Sequence, residues 1–381
     1  MCVYFFCHWA FAHLIYSGRH WAFFTATIGS PCWTKNCCSI FSFPAQGHIV
    51  FSQISSTLQN LELRRLASSL PARALQSKAP RTIDQYSTSS QKFRVWASCF
   101  PEVTVLPTRP LDVALYLEHL IQSDASSSVL HSASCGISWA NKLYGFPDPC
   151  QDPLVKNILE AGAQISAKPV VKKEPITPEM ISSICSKYAS PSANLSSLRI
   201  AALFITAYCA FLRFDEPAKL RCCDVNFHNS DYVKITIVSS KTDVYRDGSS
   251  VLLARTGSVT CPYTILSRYF HLAALNCYSS DFVFRNLVYH KSSRSYSLGS
   301  RPISYSRARE LLLNSLVELG FPKSSYGLHS LRSGGASAAA NAGISDRLFK
   351  RHGRWKSDRA KNGYVKDNIN SLLSVSRSLG L

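Results

Sequence analysis

Residues 327–336 read G-L-H-S-L-R-S-G-G-A, and residues 351–366 read R-H-G-R-W-K-S-D-R-A-K-N-G-Y-V-K. The reading of the chain turns on these two stretches. The first holds an H-x-x-R pair, His329 and Arg332. The glycines that follow, Gly334 and Gly335, suit close helix packing better than phosphate cradling. The second sets Trp355 nine residues before Tyr364, the last tyrosine of the sequence. Outward from there, Lys241 lies in S-S-K-T-D-V-Y-R-D-G, residues 239–248. An alternating β-branched run from Tyr232 to Val238, then the Asp247–Gly248 turn signal before Val251 to Ala254, predicts a β-hairpin around it. Farther out, Arg213 closes an apolar run in A-F-L-R-F-D-E-P-A-K-L, residues 210–220. Leu198 to Leu212 is apolar almost all round, which predicts a central buried helix. Pro262 to Leu275, Ser304 to Leu319 and Ile344 to His352 predict further helices, with Gly320 suited to the C′ position.

Each of these residues has an ordinary explanation when taken alone. An arginine after an apolar helix is usually a snorkelling surface residue. A hairpin lysine is usually solvated, and Lys234 is a second one on the same hairpin. H-x-x-R arises by chance, and Tyr364 is one of 17 tyrosines. The combination is more informative, because order, spacing and element type agree. Arg213, then Lys241 on a hairpin, then His329 and Arg332, then Trp355, then Tyr364, resembles the tyrosine recombinases of the phage-integrase family. The resemblance covers about residues 67 to 381. Glu216, three residues after Arg213, fits the family's first arginine box. The family places a His or Trp nine residues before its tyrosine, so Trp355 matches and His352 does not. The R-H-G-R-W-K-S run looks like recombinases of eukaryotic mobile elements, Crypton-like or DIRS-type.

The resemblance implies roles. Tyr364 would be the nucleophile, forming a 3′-phosphotyrosine on DNA. Arg213 and Arg332 would clamp the scissile phosphate and stabilise its developing charge. Lys241 would protonate the leaving 5′-hydroxyl. His329 would assist proton transfer, and Trp355 would donate its indole N–H to a phosphate oxygen. Neither metal nor ATP is required by such chemistry, so no cofactor is expected. The implied fold is mainly α with a small antiparallel sheet: an N-terminal all-α core-binding (SAM-like) domain and a C-terminal α+β catalytic domain. The implied partner is double-stranded DNA, held by a homotetramer on two sites, with no membrane and no small-molecule substrate. A nuclear location is inferred from the DNA substrate and the eukaryotic-element resemblance.

The rest of the chain sets the frame. A helical pattern starts near Leu58. Thr82 to Ala97 puts Ile83, Tyr86, Phe93 and Trp96 near one face. Leu111 to Ile121 places Leu111, Leu115, Leu117 and Leu120 on an amphipathic helix, and Ser126 to Tyr144 and Asp152 to Ile165 read as two more. We therefore expect a helical core-binding domain over 67–167. The run K-P-V-V-K-K-E-P-I-T-P, residues 168–178, reads as an extended linker. A catalytic domain over 179–381 follows, with Thr177 as N-cap and Pro178 at the first helical position. Residues 1–66 have no clear period and read as an unstructured leader or translated non-coding sequence, with a weak membrane anchor as the rival. Ile369, Leu372, Leu373 and Val375 keep helical register in a tail of the kind that such recombinases dock on a neighbouring subunit; packing on its own domain is the alternative.

Charge and cysteine usage bound the function. The formal net charge is +19, from 42 Lys plus Arg against 23 Asp plus Glu. Residues 169–381 carry 29 basic and 14 acidic side chains. The second half therefore holds the field that suits a polyanion. Arg81, Lys92, Arg94, Arg351 and Lys356 are candidate DNA-phosphate contacts. The 14 cysteines form no C-x-x-C pair, which points to scattered thiols in a reducing compartment. There is no H-E-x-x-H, P-loop or paired-carboxylate motif. Two functions fit: an active site-specific recombinase of a mobile element, or a catalytically silent, domesticated DNA-binding protein of the same fold. A type IB topoisomerase would share the phosphotyrosine chemistry.

Overall fold

The computed structural model describes residues 57–169, 171–240 and 248–380. Most of the leader, up to residue 56, lies outside them, as does Lys241. The chain divides into two compact units that part between Pro169 and Val170.

The first unit is all helix: α1 (Leu61–Leu75), α2 (Pro80–Ala97), α3 (Pro110–Gln122), α4 (Ser127–Leu143) and α5 (Pro153–Ile165). Helices α2, α3 and α5 each open on proline, whose fixed φ suits a first turn that needs no N–H partner. Helices α2 and α4 touch where Gly136 meets Ser89 and Ser90; a Cβ there would sit 2.6 Å from the Ser89 Cβ. Phe93, Leu117, Leu130, Ile137 and Val155 fill the core. Beside it, buried Asn141 accepts from the Thr108 amide at 2.9 Å and donates to the Thr108 hydroxyl at 2.9 Å. The α3 face differs from expectation. Leu117 is buried and Leu120 packs on the core as expected, but Leu111 and Leu115 are exposed, and Val113 and Tyr116 are buried in their place. All of these positions are apolar, so periodicity alone does not choose the face. Helix α1 also starts ahead of residue 67, with Asn60 accepting from the Glu62 and Leu63 amides.

The second unit is built around α7 (Leu195–Cys209), buried on every side from Leu198 to Tyr208, with α6 (Pro178–Tyr188) before it. After the short α8 (Asp215–Lys219) comes a three-stranded antiparallel sheet: β1 (Val225–Asn226), β2 (Tyr232–Ile237) and β3 (Ser249–Ala254). Its register pairs Tyr232 with Ala254 and Ile237 with Ser249. Val233, Ile235, Ile237, Val251 and Leu253 alternate into the core, as the period of two requires. Then come α9 (Pro262–Leu272), an antiparallel pair β4 (Arg285–His290) and β5 (Ser295–Pro302), and the helices α10 (Tyr305–Glu318), α11 (His329–Asn341), α12 (Asp346–Gly353), α13 (Asp358–Asn362) and α14 (Ile369–Arg377). Gly320 follows α10 at φ +87°.

The second half of the expected linker belongs to this unit. Ile176 is fully buried, its amide donates to the Ser330 carbonyl at 2.9 Å, and the Glu174 amide donates to Ser325 at 2.8 Å. A Cβ on Gly334 would sit 2.1 Å from the Ile176 carbonyl oxygen, and one on Gly335 would sit 2.1 Å from that of Tyr208. The two glycines let α11 lie against both the segment carrying Ile176 and the end of α7.

Candidate active site

The site forms where α7 stops. The helix ends at Cys209, and Phe211 takes a left-handed φ of +49°. This turn carries Arg213 away from the helix into the approach to α8. The Arg213 amide donates to the Glu216 carboxylate at 2.9 Å, and its guanidinium stands 3.4 Å from the same group. Arg213 keeps 16% of its side chain exposed.

Arg332 enters from α11 and is completely buried. One terminal nitrogen donates to the Phe211 carbonyl and the other to Gly353 at 2.8 Å. Its guanidinium carbon lies 5.1 Å from the Trp355 ring and 4.8 Å from the Tyr364 ring, close enough for cation–π attraction to both. Trp355 and Tyr364 pack on each other at 5.7 Å between ring centroids. Phe211 and Phe349 close the apolar side of the cluster. Ser337 of α11 ties down the nucleophile candidate's backbone: its hydroxyl donates to the Tyr364 carbonyl at 3.4 Å and accepts from the Lys366 amide at 2.9 Å.

A third arginine, Arg354, completes the cluster; the sequence alone assigns it no role. It caps α12 in a left-handed conformation, φ +56°, which a non-glycine residue adopts at a cost. Its side chain is 8% exposed and pairs with Glu216 at 2.9 Å, and it also donates to the carbonyls of Ala210 and Phe211. Three guanidiniums thus face one carboxylate. Burial, and next the Arg213 charge, lower the Arg332 pKa to about 10; Glu216 pulls the other way. Burial likewise lowers Arg354. Within this cluster, three buried donors have no acceptor among the described residues: Nε of Arg332, Nε of Arg354 and Nε1 of Trp355. Leaving each such group unmade costs about 1–3 kcal/mol. Uncompensated positive charge beside unmet donors is the electrostatic form of an anion site.

Arg213, Arg332, Trp355 and Tyr364 are therefore brought together. His329 is exposed at the start of α11, one helical turn from Arg332. Lys241 belongs to the β2–β3 connection, outside the described residues, and Lys234 is exposed on β2. His352, set aside by its spacing, is structural here: Nε2 donates to the Cys209 carbonyl at 2.8 Å and the ring packs edge-on against Phe211 at 4.6 Å. Of the candidate phosphate contacts, Arg81 and Lys92 are exposed and Arg94 is half-buried on α2, while Arg351 and Lys356 are exposed on either side of the α12 terminus.

No family model matches the sequence. The integrase/recombinase xerD homolog of Selenomonas ruminantium is 24% identical over 307 residues, 79% of this chain and 86% of that protein. Among solved structures, the XerH site-specific recombinase bound to palindromic difH substrate, in a post-cleavage complex, matches with a TM-score of 0.57 at 13% identity. The match covers 88% of this chain and 95% of that one. A lambda integrase dimer bound to a COC′ core site matches with a TM-score of 0.50 at 13% identity, over 84% and 96% of the two chains. The fold is that of the site-specific recombinases. The sequence relative, similar over most of both chains, is likewise a protein of the integrase/recombinase kind.

Proposed function

We propose that the chain is a site-specific DNA recombinase that breaks and rejoins strands through a 3′-phosphotyrosine at Tyr364. The observation that carries this reading is the gathering of Tyr364, Trp355, Arg213 and Arg332 into one cluster with surplus positive charge. In the step proposed, the Tyr364 oxygen attacks phosphorus and the bond to the 5′-oxygen breaks. The tyrosine proton passes toward His329, and Lys241 supplies a proton to the leaving 5′-oxygen. The phosphotyrosine keeps the bond energy, so the reverse attack by a 5′-hydroxyl reseals the strand. Arg213, the partly exposed guanidinium, is the outer contact for the phosphate. Arg332 is the inner one, and its unmet Nε is the donor left for an oxygen.

DNA is the proposed partner, and a homotetramer on two sites the proposed assembly. Nuclear action rests on the resemblance to eukaryotic mobile elements. A nicked duplex carrying the element's own terminal repeats tests the reading. The wild type should form a covalent adduct visible on a denaturing gel, and Tyr364→Phe should form none. Binding without an adduct by the wild type would leave only the silent, DNA-binding form.

A further inference from the structure

We infer that the β4–β5 ribbon is a second DNA-contacting element, seated in a groove of the duplex and sharing no residue with the Tyr364 cluster. This rests on the DNA reading above. Residues 285–302 read R-N-L-V-Y-H-K-S-S-R-S-Y-S-L-G-S-R-P, with four cations, five serines and no acid. The base is fixed: buried Arg199 of α7 donates to the Arg285 carbonyl at 2.5 Å, and the Ile303 amide donates to Phe284 at 2.9 Å. Beyond the base the ribbon stands in solvent. Lys291, Arg294 and Arg301 are exposed. Tyr289 and Tyr296 pair across the strands with ring centroids 5.0 Å apart, yet stay 50% and 39% exposed.

A ribbon that holds two tyrosine rings uncovered beyond its anchored base offers a surface for an occupant. Charge selects which. A second copy of this chain would bring its own basic second half, whose 29 cations outnumber 14 acids, against an acid-free ribbon. Duplex DNA instead offers phosphates to the three exposed cations and to the serine hydroxyls. The major groove, about 12 Å wide, admits a two-stranded ribbon. The six residues of β4 span about 20 Å, enough to reach phosphates along the groove.

Salt dependence tests this. The full chain is titrated onto a fluorescein-labelled mixed-sequence duplex across about 50–200 mM KCl, where each phosphate contact contributes about 0.9 to the slope of log K against log salt. The triple variant Lys291→Ala/Arg294→Ala/Arg301→Ala should keep its melting temperature and flatten the slope by roughly 2–3. Lys291→Arg/Arg294→Lys/Arg301→Lys should keep the wild-type slope. An alanine variant with the wild-type slope overturns the inference and leaves the recombinase reading standing. A change in oligomeric state at unchanged slope overturns it in favour of a protein contact. A wild type without salt-dependent duplex binding removes the DNA reading and this inference together.

Discussion

Arg332 is a structural residue, and in the proposed reaction a chemical one as well. Its two terminal nitrogens tie the end of α7 to the end of α12 through the Phe211 and Gly353 carbonyls, and its face is flanked by Trp355 and Tyr364. A lysine keeps the charge but loses the planar fork. Arg332→Lys should therefore lower single-turnover cleavage of a nicked site by about 10²–10³ with duplex affinity nearly unchanged. Affinity falling in step with the rate would argue against a transition-state role. Gly353 is the companion case. A Cβ there would meet the Trp355 ring at 1.9 Å. Gly353→Ala should displace the indole and destabilise by about 1–3 kcal/mol, as overpacked sites do. Thermal melts and a shift in tryptophan emission would detect it. The residue-level pattern in the sequence was informative where chemistry demands particular types at particular spacings: Arg213, Arg332, Trp355 and Tyr364 meet. Arg354 was not legible, because a left-handed cap is normally glycine or asparagine and nothing local signals that this arginine is buried on Glu216.

At the scale of elements, α12 docks on the end of α7 partly through His352. Burial lowers the His352 pKa below its ordinary 6.5. Below about pH 6.5 the unfolded chain takes up a proton that the folded chain refuses, so stability falls as pH drops through that window and is restored above it. Melting temperatures from pH 7 to 5 should decline, and His352→Gln should flatten the decline. An unchanged slope would show that the ring is not held neutral. Elements with a buried face were readable: α7 by its unbroken apolar run, and β2 and β3 by alternation and the turn signal. The β4–β5 pair was not, because its serines and exposed tyrosines carry no burial pattern. The prolines and lysines of residues 168–178 read as an extended linker. One apolar side chain among them, Ile176, anchors that segment to α11.

For the whole molecule, the net charge of +19 predicts DNA binding that weakens steeply with salt. Assembly is a separate property. Helix α14 buries none of its residues, and Ile369, Leu372 and Val375 all lie more than half exposed. An apolar stripe of this kind suits a neighbouring protomer better than water. Removing residues 368–381 should leave the melting temperature of the rest nearly intact and abolish higher-order complexes on DNA in native gels. Unchanged complexes would assign the stripe no role in assembly.

The anchoring of Arg332 also decides how the proposed activity could be silenced without losing the fold. Losing the Arg332 side chain altogether unties two helix ends, so an inactive copy made that way is destabilised as well as silenced. Tyr364→Phe removes one hydroxyl, keeps the ring against Trp355, and leaves the backbone bonds through Ser337 in place. A copy retained only for holding DNA would therefore be expected to carry its lesion at the tyrosine and to keep its arginines.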